Sequence, residues 1–454
     1  MKRIARSAPA RMVLIAASVT LAGCAGTPPA PAPAAAQPRP SRAQPTVPEP
    51  GAAQTVQSPF VRDVGARESD GIATSASPAQ RFGPRAEGAR DFLVQPGQVW
   101  GHIIEDVRPG DEIVFPAGFH PPQRIVGLNG TRERPILLRS RDNVAAAVGC
   151  GEFGWVFERC SHLVIENILF INPRSAAILV DGGPAGAAAT AESPGAHVVI
   201  RQCTIKSTRQ QDGQDAIRIS AASDVIVDAI QVEGWGGSAV RIEDSSRVLV
   251  RGLVAIPRTP AASDFGVRIG GASSRIVITN AAFNRGTGTC IEIGTPGAGS
   301  PVVRDVTIER SIFDASRVAL SLANAKGVLF NRCTVIDASE SIWAIDQSAG
   351  TVEDVRVDRM LAAWEPGTLR RFSTHPEGAN PAGIVIGDVL VHSAELPLGW
   401  EAVGRPFGTQ SGRLTEDVDP RLDPQSRRPR NPLAQAYGVF VPPVPGNQVA
   451  PANP

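Results

Sequence analysis

Apolar and polar residues alternate along much of this chain, and the alternation itself recurs. Nine segments, beginning at His162, His197, Asp224, Arg247, Arg275, Asp305, Gly327, Asp354 and Gly383, share one pattern: alternating apolar positions, a two-residue polar corner, and a second short apolar stretch. HLVIENILF, DVIVDAIQV and RVLVRGLVA are examples. Period two predicts β-strands. Another such run precedes most of the nine, among them AAILV at 176–180, DAIRI at 215–219, SAVRI at 238–242, FGVRI at 265–269 and TCIEI at 289–293. Three short strands in a repeat of about 28 residues predict a parallel β-solenoid, with inserts such as Gly182–Ala196 and Thr295–Arg304 entering at corners. The apolar spacing of three and four that a helical solenoid needs is missing.

The same periodicity sorts residues into inward and outward columns. In DAIRI the inward Ile217 and Ile219 leave Arg218 outside, and Arg241 and Arg268 take the same slot on the next two turns. Glu292, then Ser321 and Asp346, are expected to continue this column. Like charges stacked about 4.8 Å apart repel unless a carboxylate, counterion or anionic ligand compensates them, which makes the column the leading functional candidate. Lys206, Asp212, Asp215, Glu233, Glu243, Asp244 and Asp264 lie in adjoining loops and strand ends. A plainer reading stands beside it: a solvated face with its arginines paired by Glu233, Glu243 and Glu292, Asp215 capping a corner, and Lys206 paired with Glu233 on the next rung. Trp155 and Trp343 read as packing residues, whereas Trp235, in the glycine-rich EGWGG, is the aromatic expected to be exposed, with burial as its alternative. His162 and His197 open successive rungs and either stack or shape a corner.

Charge excludes one class of partner. With 45 Lys+Arg against 44 Asp+Glu the chain is balanced, so a strongly basic nucleic-acid binder is not expected. The histidines form no HExxH or other close metal pattern, and no Gly-rich phosphate loop is present. Of the cysteines after Cys24, Cys203, Cys290 and Cys333 fall on inward positions as buried thiols, and Cys150 with Cys160 is the one pair considered for a bridge.

The N-terminus carries a different signal. Residues 1–11 are basic, Met12–Leu21 is apolar but about half of a membrane span, and Leu21-Ala22-Gly23-Cys24 follows. This resembles a bacterial lipoprotein signal, which implies cleavage after residue 23, lipidation of Cys24 and a membrane partner reached through that lipid. Ala25 after the cysteine is similar to lipoproteins forwarded to the outer membrane of the cell envelope. Residues 24–89, rich in Pro and Ala, are expected to form a disordered linker, 90–410 the solenoid, and 411–454 a tail that closes it.

The nine rungs, with the upstream Pro109-Gly110-Asp111-Glu112-Ile113-Val114-Phe115 and the downstream Asp419-Pro420-Arg421-Leu422-Asp423-Pro424, resemble the right-handed parallel β-helix of pectate lyases and of the chondroitinase B and alginate lyase branch. The resemblance implies an all-β helix of about nine or more coils and a groove for uronate polymers along the column strand. Proton abstraction next to a uronate carboxyl needs that carboxylate neutralised, by Ca²⁺ or arginine, and a base within reach. Arg218, Arg241, Arg268 and Lys206 are the catalytic candidates, Glu292, Glu243 and Trp235 the substrate-binding ones, and Asp212 and Asp215 the ligands for calcium, the candidate cofactor. The sequence departs from the family sets: Ala229 stands where a histidine would follow Asp228, and neither the Glu-plus-Lys strand nor the paired-aspartate and Gly-His-Gly motifs are visible. The expected function is therefore binding of an acidic polysaccharide, with cleavage or C5 epimerisation as the enzymatic version. A noncatalytic structural or adhesive scaffold is the rival.

Overall fold

The computed structural model describes residues 87–141, 145–183, 196–207, 213–257, 264–284, 287–297, 299–347, 350–365, 367–393, 406–415, 419–422 and 429–437. All fall in one compact unit, Val56–Pro454. The signal segment 1–23, Cys24, the linker up to residue 86, Asp212 and most of the tail lie outside the described residues.

Three parallel sheets run the length of the described solenoid. Sheet A has thirteen strands, from Asp91–Leu93 to Thr409–Gln410; sheet B has twelve, from Phe119–His120 to Leu414–Thr415; sheet C has ten, from Gln123–Val126 to Arg371–Thr374. One coil passes through C, A and B in turn, as in Asp215–Ser220, Ser223–Asp228 and Gln231–Glu233. Each of these strands pairs with its equivalents one coil before and after. The first stretch of each of the nine repeat segments falls in sheet A, which extends beyond them at both ends, and the stretch after the polar corner falls in sheet B.

Alternation places the same slot of each coil in the core. Ile217, Val240, Val267, Ile291, Leu320 and Trp343 follow one another in register and are buried. Full burial of such aliphatic side chains contributes about 1.5–3 kcal/mol each. Phe283, Phe313 and Phe330 form a stack with centroids 5.3 and 5.5 Å apart. Gly266 makes room for the first of them: a Cβ there would lie 2.4 Å from the Phe283 ring.

The corners use left-handed backbone, again in columns. His162, His197, Asp224, Arg247, Arg275, Asp305, Gly327 and Asp354, which open the repeats, all have φ between 52° and 73°. So do the residues between sheets A and B: Asn167, Gln202, Ala229, Gly252, Asn280, Arg310, Arg332 and Arg359, with φ between 49° and 65°. Each non-glycine residue in this region costs roughly 1–2 kcal/mol. Stacking offsets part of that, because a corner N–H donates to the carbonyl one coil on, as Gln202 does to Asp228 at 3.0 Å and Arg332 to Asp358 at 3.0 Å. The His162 and His197 rings stack, centroids 4.5 Å apart.

Several expectations are corrected. The slot after Ser321 holds Ala344; Asp346 pairs with Ala323, because Trp343 faces the core and sets the alternation of its strand. Cys150 and Cys160 are both free. They follow strands of different sheets, Ala146–Gly149 and Phe153–Glu158, and so sit at different corners. Of the tail, Leu422, Ala434 and Tyr437 pack on Ile312, Ile336, Leu361 and Leu390, outward positions of sheet B in its last coils.

Candidate functional site

The outward column of sheet C begins with Arg124, continues through Val156 and Leu179, and then presents Arg218, Arg241, Arg268, Glu292 and Ser321 in direct register. The three arginines are partly buried, so their stems pack against one another while the guanidinium groups reach carboxylates. Arg218 clasps Asp215 through Nε and Nη2, at 2.8 and 2.6 Å from Oδ2. Arg241 lies 2.5 Å from Glu243 and 3.8 Å from Asp215. Arg268 Nε lies 2.7 Å from Glu292 Oε1, and its guanidinium carbon lies 5.0 Å from the Phe265 ring centroid. Phe265, not Trp235, is thus the aromatic of this face.

These carboxylates differ in how firmly they are held. Asp215 is 1% exposed, and its Oδ1 accepts the Ser238 N–H at 2.9 Å. Gly237 permits this approach, since a Cβ there would lie 2.9 Å from Asp215 Oδ1. Burial pushes the Asp215 carboxyl above its ordinary range, and Arg218 and Arg241 oppose the shift. Burial does the same to Glu292, against Arg268 and Arg241. Glu243, by contrast, is 34% exposed, so its hold on Arg241 is the weakest and most exchangeable of the three.

Not every candidate joins the column. Lys206 ends a strand of sheet B and pairs there with Glu233 at 3.2 Å, so it shares a cross-strand ion pair and not the arginine face. Trp235 is wholly buried in the core, turned inward ahead of Gly236 and Gly237. Asp215 does not fit a calcium site: one oxygen is committed to a backbone N–H and the other to two guanidinium groups, and its proposed partner Asp212 lies outside the described residues. Among the described residues no group of three or more His, Cys, Asp or Glu is arranged to hold a metal.

Sheet A carries its charges in another way. The last outward residues of successive strands are Arg139, Glu166, Arg201, Asp228 and Arg251, in register and alternating in sign. Glu166–Arg201 and Asp228–Arg251 pair at 2.8 and 2.7 Å. This ladder was readable in the repeat itself, where the residue before each corner runs Glu, Arg, Asp, Arg. Beside it, the like-charged column of sheet C is a departure from the molecule's own manner of compensating charge.

A family model described as a right handed beta helix region matches residues 149–305. The fold is a right-handed parallel β-helix. No curated protein matches the sequence. Among solved structures the β-helix is similar to a PL6 family polysaccharide lyase from Pseudopedobacter saltans, at 12% identity, TM-score 0.47, covering 77% of this chain and 99% of that one. It is also similar to the mannuronan C-5 epimerase A-module of Azotobacter vinelandii, at 11% identity, TM-score 0.42, covering 68% and 91%. A PL6 family alginate lyase matches at 12% identity and TM-score 0.33 over 77% of this chain, which spans 56% of that enzyme's length. These are likenesses of fold.

Proposed function

We propose that the outer face of sheet C binds an acidic polysaccharide, with Arg218, Arg241 and Arg268 receiving its carboxylates. The carrying observation is the contrast between two ladders: sheet A alternates its charges, while sheet C stacks three arginines in register. Planar guanidinium forks suit carboxylates, and a column with one cation per coil suits a polymer of repeating acidic units. Binding exchanges the partly exposed Glu243, and then Glu292, for a ligand carboxylate.

The test is titration calorimetry of the purified protein with oligouronates, beside the Arg241→Ala variant. The reading predicts binding that the variant weakens by roughly tenfold or more, about 1.4 kcal/mol. Equal affinity in the two proteins would overturn it. Cleavage by β-elimination is read in the same samples from ultraviolet absorbance of the unsaturated product.

A second reading, the noncatalytic scaffold, draws support from the carboxylate already beside each column arginine. Binding without turnover satisfies both readings, and calcium is assigned no step. The lipid anchor completes the proposal: the polysaccharide would be engaged at the cell envelope, with the protein held by lipid on Cys24. Cys24→Ser should then release the protein from the membrane fraction, and retention there would refute the anchor.

A further inference from the structure

The corner between sheets A and B holds a second arginine stack, on a different part of the coil from the sheet C column. Its left-handed position is filled along the solenoid by Asn167, Gln202, Ala229, Gly252 and Asn280, and then by Arg310, Arg332 and Arg359 on three successive coils. Asn and Gly are the residues that a positive φ favours. A long cation brings no backbone advantage there, so three in succession point to a role for the side chain. Their strands are in register through Glu309, Asn331 and Asp358, and the Arg310 and Arg332 N–H groups donate to the carbonyls of Asn331 and Asp358. The three corners are therefore stacked at the strand spacing of about 4.8 Å.

Charge is not balanced at the centre of this stack. Arg310 pairs with Glu309 at 2.9 Å, and Arg359 approaches Asp358 at 3.6 Å. Asp358 is shared with Arg356 at 3.8 Å. Arg332 has no carboxylate within ion-pair distance among the described residues, because the outward residue beside it is Asn331 where the flanking coils have Glu309 and Asp358. Glu309 and Asp358 are the acids that face it, and Arg310 and Arg359 the cations. Burial and those two cations lower the Arg332 pKa, with Glu309 and Asp358 opposing.

We infer that Arg310, Arg332 and Arg359 form a binding site for a tetrahedral oxyanion, a phosphate or sulfate ester group centred on Arg332. Three guanidinium groups from three coils supply donors to an anion with three terminal oxygens, whereas a planar carboxylate has only two to offer. The site needs neither the sheet C column nor turnover.

The experiment is calorimetric titration with inorganic phosphate, sulfate and, at matched ionic strength, acetate, all in the Arg241→Ala background so that the sheet C column contributes less, and what it still contributes is unaffected by changes at Arg332. Phosphate and sulfate should bind at least fivefold more tightly than acetate, and the added substitution Arg332→Gln should abolish the difference. Equal behaviour of the three anions, or an unchanged preference after Arg332→Gln, would overturn the inference. Arg332 is exposed, so the variant should fold, as its circular dichroism would report; the pair Arg310→Gln and Arg359→Gln gives an independent second loss. Phosphatidic acid vesicles and dextran sulfate then separate the two sources of such a group: the inference expects Arg332-dependent binding of at least one, and binding of neither counts against it. Failure here leaves oligouronate binding at Arg241 untouched, so the two readings fall separately.

Discussion

Asp215 is the residue on which the arginine column rests. It is the most buried of the column's carboxylates and touches two arginines and a backbone N–H. Removing one partner of such a buried pair is destabilising by about 3–5 kcal/mol, so Asp215→Ala should lower urea stability by that order. A loss below about 1 kcal/mol would mean that Arg218 finds another counterion. The pH dependence has a defined sign. Asp215 and Glu292 titrate above their unfolded values, so the stability they contribute is fully present below the ordinary carboxylate range and declines as pH rises through the raised values. Protonating them also frees Arg218 and Arg268 and leaves Arg241 with Glu243 as its one carboxylate partner among the described ion pairs. Oligouronate affinity should therefore strengthen as pH falls from neutrality toward the carboxylate range, and Glu292→Gln should raise affinity at pH 7 and flatten the trend; calorimetry across pH checks both.

At the scale of strands and corners, the sequence was legible wherever period two operates. The alternation marked inward Ile217 and outward Arg218, and the polar corners marked the positions that turn out left-handed. It was less informative where a single residue decides its own direction. Trp235 sits among glycines that suggest exposure, yet its ring is wholly buried in the core, directly after Gly234 with its left-handed φ of 77°. Trp235→Ala should cost about 3–5 kcal/mol, as loss of a core aromatic does, measured by chemical denaturation. Lys206 was close to the column in sequence but belongs to another sheet, since a corner separates its sheet B strand from the sheet C strand that carries Arg218. The thiols follow the same logic. Burial pushes Cys160 up to about 11 and Cys150, Cys203 and Cys290 up to about 12, and raises Cys333 further in the same direction. These five should resist alkylation at neutral pH until denaturant is added, as mass spectrometry of the labelled protein would show.

Across the whole solenoid, coils touch only their neighbours, so stability is local and adds along the axis. The tail modifies that picture at one end, where Leu422, Ala434 and Tyr437 cover the outer side of the last sheet B strands. Replacing Leu422 with a charged residue should speed hydrogen exchange in the coils of Leu361 and Leu390 and leave the coils of Val198 and Val225 unchanged. The alternating ladder of sheet A bears on how such a molecule can change length. Inserting or deleting one coil between Arg139 and Arg251 would bring like charge onto like at the junction, whereas adding or removing two coils keeps every neighbour opposite in sign. In this stretch the smallest unit that can be duplicated or lost without electrostatic penalty is a pair of coils, which gives the fold a parity that its backbone alone does not possess.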